Sequence, residues 1–384
     1  MSPARRIAFD ILMQVSRGGY ASDLLLERTA ALDSRDAGLA AEIVFGCLRC
    51  QAQLDFLASH YSTKPARRPD AEVRVALRMG IYQLRYLDRI PAHAAVAETV
   101  ELVKRAGKRS AAGFVNALLR KVRRDPVVWP GRATELSVPP WLLERWDRRF
   151  GTETADRIAR AFLKQPELYV RVDLRGLPAP PPPNLEPTDV PGCFRVVEGE
   201  AGGLRIQDIG SQSIVPLLDL RPGQRFLDLC ASPGNKTAQA MEAGVRAVAC
   251  DVSARRLAPL QALGCPRVAL DATLPLPFRG VFDRILIDAP CSGTGTLGRN
   301  PEIKWRLKPE DLLRHHERQV KLLTRGLACL APGGRLVYST CSLEEEENEA
   351  VVREVLGGPP PVERRRTPGL LPGDGFYAAV LGST

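Results

Sequence analysis

Apolar residues recur every three or four positions through the first 130 residues, as they do on the buried faces of amphipathic helices. One stripe comprises Leu39, Ile43, Cys47, Cys50, Leu54 and Leu57, and another comprises Val73, Leu77, Ile81 and Leu84. No strand-like alternation of apolar and polar residues interrupts them. We therefore predict that residues 1–130 form an all-α helical bundle.

The pattern changes at Ile206, beyond which short apolar runs alternate with amphipathic stretches. The runs predict strands at 224–229, 246–251, 267–271, 282–288, 335–340 and 376–381, and the amphipathic stretches predict helices from 236, at 309–330 and at 344–356. This alternation is typical of α/β proteins, so residues 206–384 are predicted to form a doubly wound, mostly parallel sheet.

The stretch between these two regions, 138–205, has a weaker pattern. It predicts helices at 141–150 and 153–163, a strand at 168–174 and a proline-rich loop at 178–183. We interpret it as a small connecting segment that packs against its neighbours.

The net charge of +10 is concentrated in the first part of the chain. Residues 1–130 contain 21 Lys and Arg against 13 Asp and Glu, a net charge of +8, and the remaining residues carry +2. This distribution favours a helical module that binds a polyanion, and the alternative is a basic surface that is merely solvated.

The composition, 45% hydrophobic and 26% charged, is typical of a soluble globular protein. No apolar run reaches the ~20 residues of a membrane span, and the first residues lack the apolar core of a signal peptide, so we predict a cytoplasmic protein with no membrane partner. The nine cysteines should then be reduced. Cys47 and Cys50 form a Cys-x-x-Cys pair on an apolar stripe, and His60 has no partner at ligand spacing, so we predict core packing and no metal.

Four predicted strands end at or beside an acid: Asp228, Asp251, Asp271 and Asp288. In an open α/β sheet the carboxyl ends of the strands share one edge, where ligands bind. The loop at 230–237 reads CASPGNKT, which is neither the G-x-G-x-x-G pattern nor a G-x-x-x-x-G-K-[ST] phosphate loop. A row of acceptors without a phosphate cradle suits the ammonium and ribose groups of S-adenosylmethionine.

Two cysteines follow apolar runs that end at the same edge. Cys291 follows Ile-Leu-Ile-Asp-Ala-Pro, and Cys341 follows Leu-Val-Tyr-Ser-Thr. Two thiols at one sheet edge indicate cysteine chemistry on a bound substrate. The alternative is that both are small apolar residues at strand ends.

Several motifs, in order, resemble those of the Sun (NSUN) family of RNA (cytosine-5-)-methyltransferases. They are IQD at 206–208, LDLCASPGNKT at 227–237, DRILIDAPCSGTG at 283–295, RNPEIKW at 299–305, YSTCS at 338–342 and GDGFY at 373–377. The stretch LRYLDRIPAHAAVAETV at 84–100 is similar to the bacterial ribosomal RNA enzymes of this family. The resemblance covers nearly the whole chain, and it implies an all-α NusB-like RNA-binding domain at 1–130 and a Rossmann-like methyltransferase domain at 206–384 that uses S-adenosylmethionine.

The resemblance implies a cofactor loop formed by Cys230, Ala231, Ser232, Pro233, Gly234, Asn235 and Lys236. It also implies that Asp251 holds the ribose, that Asp271 lies on the adenine side and that Asp288 lies beside the methyl-transfer centre. Asp228 either contacts the cofactor or has a structural role at the end of its strand. The family usually has AAPGGKT in this loop, so Ser232 and Asn235 depart from it. Because Asn tolerates a left-handed backbone, we expect the turn to survive.

Carbon 5 of cytosine becomes nucleophilic once a thiolate has added to carbon 6. DNA cytosine-5 methyltransferases use a Pro-Cys thiolate, which here is Cys291, whereas the RNA family uses a Thr-Cys thiolate, here Cys341. We predict that Cys341 is the nucleophile and that Cys291 assists product release as a general acid or base. Asp288 would hydrogen-bond the cytosine ring nitrogen and Lys236 would orient the site. Trp305 either stacks on a base or packs its own loop down.

The predicted function is S-adenosylmethionine-dependent methylation of carbon 5 of a cytosine in small-subunit (16S) rRNA, by a monomer and through a covalent cysteine adduct. One alternative keeps the chemistry and changes the substrate to tRNA or another rRNA site. A second alternative is a non-catalytic NusB-like RNA-binding assembly factor with an inactive methyltransferase domain.

Overall fold

The computed structural model describes residues 2–62, 69–173, 182–199 and 201–382. The chain divides into two compact units. Unit 1 comprises Met1–Gln165 and Leu297–Arg306, and unit 2 comprises Pro166–Thr296 and Leu307–Thr384. Most of the proline-rich loop predicted at 178–183 and the last residue of the strand predicted at 168–174 lie outside the described residues.

Unit 1 is helical, as the apolar stripes predicted. Its helices are α1 (Pro3–Val15), α2 (Ala21–Thr29), α3 (Ser34–Arg49), α4 (Gln51–His60), α5 (Ala71–Tyr86), α6 (Ala92–Arg105), α7 (Ala112–Leu119), α8 (Arg132–Glu135), α9 (Pro140–Phe150), α10 (Thr152–Leu163) and α14 (Ile303–Arg306). Cys47 and Cys50 are buried in the core of this unit, where burial raises the pKa of both thiols. The prediction that these two cysteines pack in the core is confirmed.

Some of the basic residues in the first 130 positions stabilise the helical bundle itself. Arg78 on α5 binds both carboxylate oxygens of Asp55 on α4, at 2.7 and 2.6 Å. Arg85 donates a hydrogen bond of 2.9 Å to the carbonyl oxygen of Asp125. Arg120, just after α7, is exposed. The basic charge of this region is therefore shared between internal contacts and the surface.

Unit 2 begins with a small antiparallel sheet in the order β2-β3-β1-β4. Its strands are β1 (Tyr169–Arg171), β2 (Leu185–Pro187), β3 (Cys193–Val196) and β4 (Arg205–Ile206). The stretch predicted as a connecting segment is thus divided, since its two predicted helices lie in unit 1 and its predicted strand lies in unit 2.

The main sheet of unit 2 has seven strands in the order β10-β11-β9-β8-β5-β6-β7. They are β5 (Arg225–Asp228), β6 (Arg246–Asp251), β7 (Arg267–Ala269), β8 (Phe282–Asp288), β9 (Leu330–Thr340), β10 (Val362–Arg366) and β11 (Phe376–Leu381). The accompanying helices are α11 (Ile209–Gln212), α12 (Asn235–Met241), α13 (Ala254–Leu257), α15 (Pro309–Leu327) and α16 (Glu349–Leu356). Strands β5 to β9 are parallel, and β11 and β10 run antiparallel to their neighbours. The predicted doubly wound α/β fold is confirmed.

The central strand β8 is held in place by close packing of α15. Ile285, Leu286 and Ile287 are fully buried, as expected for a central parallel strand. A Cβ at Gly326 on α15 would lie 2.5 Å from Cδ1 of Ile287, so a residue without a side chain permits this approach. This contact fixes the position of the strand that ends at Asp288.

Two of the differences between the structure and the predicted elements concern the main sheet of unit 2. Strand β9 begins at Leu330 and not at 335, so the helix before it ends at Leu327. Strand β10 was not predicted, because it contains three consecutive arginines and lies at the edge of the sheet. Edge strands do not need the apolar composition that identifies central ones. The α-helix after Asp251 is short, since α13 is followed by a 3₁₀ helix at Ala258–Leu263.

Candidate active site

A cleft of about 200 Å³ lies at the carboxyl ends of the parallel strands of unit 2. The predicted site residues that line it are Cys230, Ser232, Asp251, Asp271, Asp288, Cys291 and Cys341. Apolar side chains, including Leu229, Val252, Leu270 and Leu322, complete its wall. This is the edge at which open α/β sheets bind their ligands.

The loop at 230–236 turns from β5 into α12 at Gly234. This residue has φ = +107°, in the left-handed region, and a Cβ there would lie 2.7 Å from Cγ of Leu260. Both features favour glycine. The turn is present, as expected, but Asn235 is the first residue of α12, so its tolerance of a left-handed backbone is not what permits the turn. The turn depends on Gly234 and not on a second glycine.

The same loop is tied to the neighbouring strand and helix. The backbone N–H of Ala231 donates to the carbonyl oxygen of Cys250 on β6 at 2.8 Å. The hydroxyl of Ser232 donates to the carbonyl oxygen of Arg256 on α13 at 2.6 Å, and the peptide bond between Ser232 and Pro233 is cis. Ser232, which departs from the family pattern, therefore adds an anchor to the loop.

Asp251 and Asp271 present hydrogen-bond acceptors to the cleft. Asp251 accepts from the backbone N–H of Ser253 at 3.0 Å. Asp271 accepts from the backbone N–H and the hydroxyl of Thr273, and these hydrogen bonds lower the pKa of its carboxyl. Two carboxylates beside an apolar wall fit a ligand with hydroxyl and amino groups on an apolar frame and no phosphate. S-adenosylmethionine has this chemistry.

Two roles were suggested for Asp228, cofactor contact and a structural role at the end of its strand, and its hydrogen bond is of the structural kind. It is buried, and its Oδ2 accepts a hydrogen bond of 2.7 Å from the hydroxyl of Thr237 on α12. Burial raises the pKa of Asp228 to about 7. Because this hydrogen bond joins the end of β5 to α12, Asp228 stabilises the turn that carries the loop.

Lys236 and Asp288 form an ion pair at the centre of the site. The ammonium nitrogen of Lys236 lies 2.7 Å from Oδ2 of Asp288, and the hydroxyl of Ser339 donates to Oδ1 at 2.9 Å. The same ammonium lies 5.0 Å from the centre of the Phe376 ring. The carboxyl of Asp288 is thus held on both oxygens. Ser339 and Phe376 were not among the predicted site residues.

The thiols of Cys291 and Cys341 are in contact, with 3.2 Å between their sulfur atoms. The hydrogen bond to Cys341, together with burial, raises the pKa of the Cys291 thiol well above its usual value. Cys230 also lines the cleft, but burial raises the pKa of its thiol beyond that of a usable nucleophile. The two cysteines singled out in the sequence are therefore adjacent in space.

A buried carboxylate next to both cysteine loops was missed by sequence reasoning. Glu347 is 0% exposed and accepts hydrogen bonds from Ser292 and Ser342, the residues that follow Cys291 and Cys341. Its neighbourhood in the sequence, four consecutive glutamates, is typical of a solvated surface. The order of the cysteine motifs gave no signal that one of these glutamates lies between them.

The segment at 297–306 packs within unit 1. The indole N–H of Trp305 donates to the carbonyl oxygen of Leu48 at 2.7 Å, and the ammonium of Lys304 donates to that of Arg49 at 2.8 Å. Of the two alternatives for Trp305, the structure shows the one in which it packs its loop down.

Two kinds of feature are absent from the described parts of the chain. No helix there is long and apolar enough to cross a membrane. No group of three or more His, Cys, Asp or Glu residues among the same residues is arranged to hold a metal ion.

Comparisons with known proteins match two separate parts of the chain to two families. Residues 215–379 match the family of 16S rRNA methyltransferases RsmB/F, and residues 2–124 match the NusB family. The ribosomal RNA small subunit methyltransferase B of Klebsiella pneumoniae subsp. pneumoniae is 32% identical over 98% of this chain and 97% of its own length.

Solved structures show the same fold. The crystal structure of PH0851 has a TM-score of 0.79 at 20% identity, over 100% of this chain and 99% of that one. A methyltransferase homologue protein from Pyrococcus horikoshii has a TM-score of 0.52 at 27% identity, over 65% of this chain and 96% of that one.

Proposed function

Because the chain belongs to the RsmB/F family of 16S rRNA methyltransferases, we propose that it transfers a methyl group from S-adenosylmethionine to carbon 5 of a cytosine in small-subunit rRNA. The observation that carries the proposal is the contact between Cys291 and Cys341, in a cleft that also contains Asp288. Methylation at carbon 5 requires a thiolate, a second group that moves a proton and a hydrogen-bond partner for the ring.

In this proposal Cys341 is the nucleophile. Its thiolate adds to carbon 6 of the cytosine, so a sulfur–carbon bond forms and the displaced electron pair moves into the ring. Asp288 hydrogen-bonds the ring nitrogen, and Lys236 keeps the carboxyl of Asp288 oriented. The proton that the ring nitrogen gains in this step passes from the Lys236 ammonium through Asp288, and it returns by the same path when the adduct breaks down. In this proposal Cys291 is the donor in its contact with Cys341, a contact whose geometry allows either thiol to donate. A hydrogen bond in this direction contributes to the raised pKa of Cys291.

Cys291 then acts in product release. Once Cys341 is bonded to carbon 6, its negative charge is gone and it no longer accepts the hydrogen bond from Cys291. The main cause that raises the pKa of Cys291 is thereby removed. Cys291 gives up its S–H proton to solvent, and the resulting thiolate takes the proton from carbon 5. The electron pair of that carbon–hydrogen bond restores the carbon 5–carbon 6 double bond and expels the sulfur of Cys341.

S-adenosylmethionine, when bound, supplies the electrophilic methyl group. The loop at 230–236 and the carboxylates of Asp251 and Asp271 would hold it, with Asp251 on the ribose and Asp271 on the adenine side. The support for this assignment is that these carboxylates line the same cleft as the two thiols. The apolar wall beside them excludes water from the reacting atoms.

The NusB-like unit would bind the RNA. Its surface carries exposed cations after α7, Arg120 and Lys121 among them. Contacts of such groups with phosphates release counterions, so RNA affinity should fall as the salt concentration rises. We propose that the protein acts as a monomer in the cytoplasm, where the rRNA substrate is made.

The test is methyl transfer from radiolabelled S-adenosylmethionine to unmodified 16S rRNA, 23S rRNA and tRNA, each offered separately. Wild type should label 16S rRNA at one cytosine, and Cys341→Ala should label none. Calorimetric titration with S-adenosylmethionine shows whether the variant still binds the cofactor. Labelling of tRNA or 23S rRNA alone would contradict the substrate. Wild type that binds RNA and labels none of the three would favour a non-catalytic assembly factor.

A further inference from the structure

Glu347 lies between the two loops that carry the cysteines. Its Oε1 accepts from the backbone N–H of Ser292 at 2.7 Å and from the side-chain amide of Gln319 at 3.3 Å. Its Oε2 accepts from the hydroxyls of Ser292 and Ser342. Four donors thus converge on a carboxylate that is 0% exposed. An ionised carboxyl group accepts hydrogen bonds and donates none, so this environment suits a negatively charged side chain.

The next residue, Asn348, forms hydrogen bonds with the loop of Cys341 and not with that of Cys291. The hydroxyl of Thr340 donates to its Oδ1, and its side-chain amide donates to the carbonyl oxygen of Ser342 at 2.9 Å. These two partners flank Cys341 on either side. Asn348 therefore fixes one loop, whereas Glu347 joins both.

We propose that Glu347 is the positioning residue that joins the Cys291 and Cys341 loops and sets the contact between their thiols. This inference rests on the roles proposed above for the two cysteines. The Glu347 carboxylate does not touch the reacting atoms, and it acts through Ser292 and Ser342. Displacing a reacting group by about 1 Å can lower a rate about 100-fold, so a residue that fixes the distance between two reacting groups has a large effect on turnover.

The buried charge of Glu347 adds an electrostatic effect. After the hydrogen bond to Cys341 and burial, the negative charge of Glu347 contributes to the raised pKa of Cys291. Glu347 therefore favours the protonated form of Cys291. The same side chain thus sets the geometry of the pair and the location of its proton.

The test compares Glu347→Gln with a matched control, Glu345→Gln. Glutamine keeps the shape of the side chain, but it removes the charge and replaces one acceptor oxygen with a donor. Glu345 belongs to the same run of glutamates and is exposed. A double variant, Ser292→Ala with Ser342→Ala, removes the two hydroxyl donors and leaves the carboxylate in place. The readouts are kcat, KM for RNA, the dissociation constant for S-adenosylmethionine, and the pH midpoint for alkylation of Cys291 by iodoacetamide, followed by mass spectrometry.

Glu347→Gln should lower kcat at least about tenfold, with KM and cofactor affinity within twofold of wild type. It should also move the alkylation midpoint of Cys291 to lower pH, which a purely structural role would not do. Glu345→Gln should match wild type in every readout. An unchanged kcat together with an unchanged alkylation midpoint would overturn the proposal.

If Glu347→Gln fails to fold, the double variant Ser292→Ala with Ser342→Ala tests the proposal instead. It should lose turnover while it still binds cofactor, and full turnover in this variant would overturn the proposal. The alkylation readout needs no RNA. If wild type methylates no RNA, the proposed function fails, but a lowered alkylation midpoint in Glu347→Gln still supports the link between Glu347 and the thiol pair.

Discussion

Replacing Lys304 with methionine should stabilise unit 1, and the gain should shrink as the pH rises. Lys304 is 1% exposed, and its ammonium donates to the carbonyl oxygen of Arg49 at 2.8 Å. Burial is the main cause that lowers the pKa of Lys304 from 10.5 to about 7, and the positive charge of Arg49 is a smaller one. A pKa that is depressed on folding means that the folded state disfavours the protonated form.

The size of the effect follows from the difference between the two pKa values. One pKa unit corresponds to about 1.4 kcal/mol, so the protonated lysine costs on the order of 5 kcal/mol at or below pH 7. Between pH 7 and 10.5 the unfolded chain binds more protons than the folded chain, so wild-type stability rises with pH in this window. Between pH 6 and 9 the cost should fall by about 2.5 kcal/mol.

Methionine has no ammonium group and avoids this cost. It also leaves the carbonyl oxygen of Arg49 without its donor, which offsets about 1–3 kcal/mol. The net gain at pH 6 should therefore be about 2–4 kcal/mol, and it should be about 2.5 kcal/mol smaller at pH 9. Groups that titrate equally in both proteins cancel in the difference.

Tryptophan fluorescence reports on unit 1 alone, because all four tryptophans of the chain belong to it. Urea unfolding of wild type and Lys304→Met at pH 6 and pH 9 gives the two free-energy differences. Lys104→Met is the matched control, since the side chain of Lys104 is 44% exposed. A difference between wild type and Lys304→Met that is equal at the two pH values would refute the reasoning. So would destabilisation by methionine at both.

Two other substitutions test the local geometry. Gly234→Ala should lower S-adenosylmethionine affinity at least about tenfold in calorimetric titration, because it combines a left-handed backbone with a Cβ 2.7 Å from Cγ of Leu260. Asn235→Gly, at the next position, should bind S-adenosylmethionine like wild type. Equal binding by wild type and both variants would contradict the assigned cofactor loop. Trp305→Phe should destabilise unit 1 by about 1 kcal/mol, because it removes the hydrogen bond to the carbonyl oxygen of Leu48. The fluorescence of the three remaining tryptophans during urea unfolding measures this loss. A urea midpoint equal to that of wild type would contradict the prediction.

The residues that line the cleft were predictable because strand topology alone brings them together. Asp251, Asp271 and Asp288 each follow a short apolar run, and the carboxyl ends of parallel strands share one edge. Cys291 and Cys341 follow β8 and β9, which are neighbours in the sheet. Their proximity thus follows from the order of elements along the chain.

The residues that the sequence did not reveal depend on tertiary contacts. Glu347 is one of four consecutive glutamates, and only the approach of the two cysteine loops makes it a buried acceptor. Trp305 lies in a motif that continues from the Cys291 loop, but its partner is a helix carbonyl more than 250 positions earlier. The left-handed residue of the cofactor turn is Gly234 and was not identified from the sequence, because a motif gives residue types and not dihedral angles.

The most direct test of the central claim is a denaturing gel of protein mixed with unmodified 16S rRNA and S-adenosylmethionine. Wild type, Cys291→Ala and Cys341→Ala are compared. The account predicts that Cys291→Ala accumulates a protein–RNA adduct, because nothing removes the proton from carbon 5, and that Cys341→Ala forms none. An adduct with Cys341→Ala and none with Cys291→Ala would contradict the assignment of the two thiols.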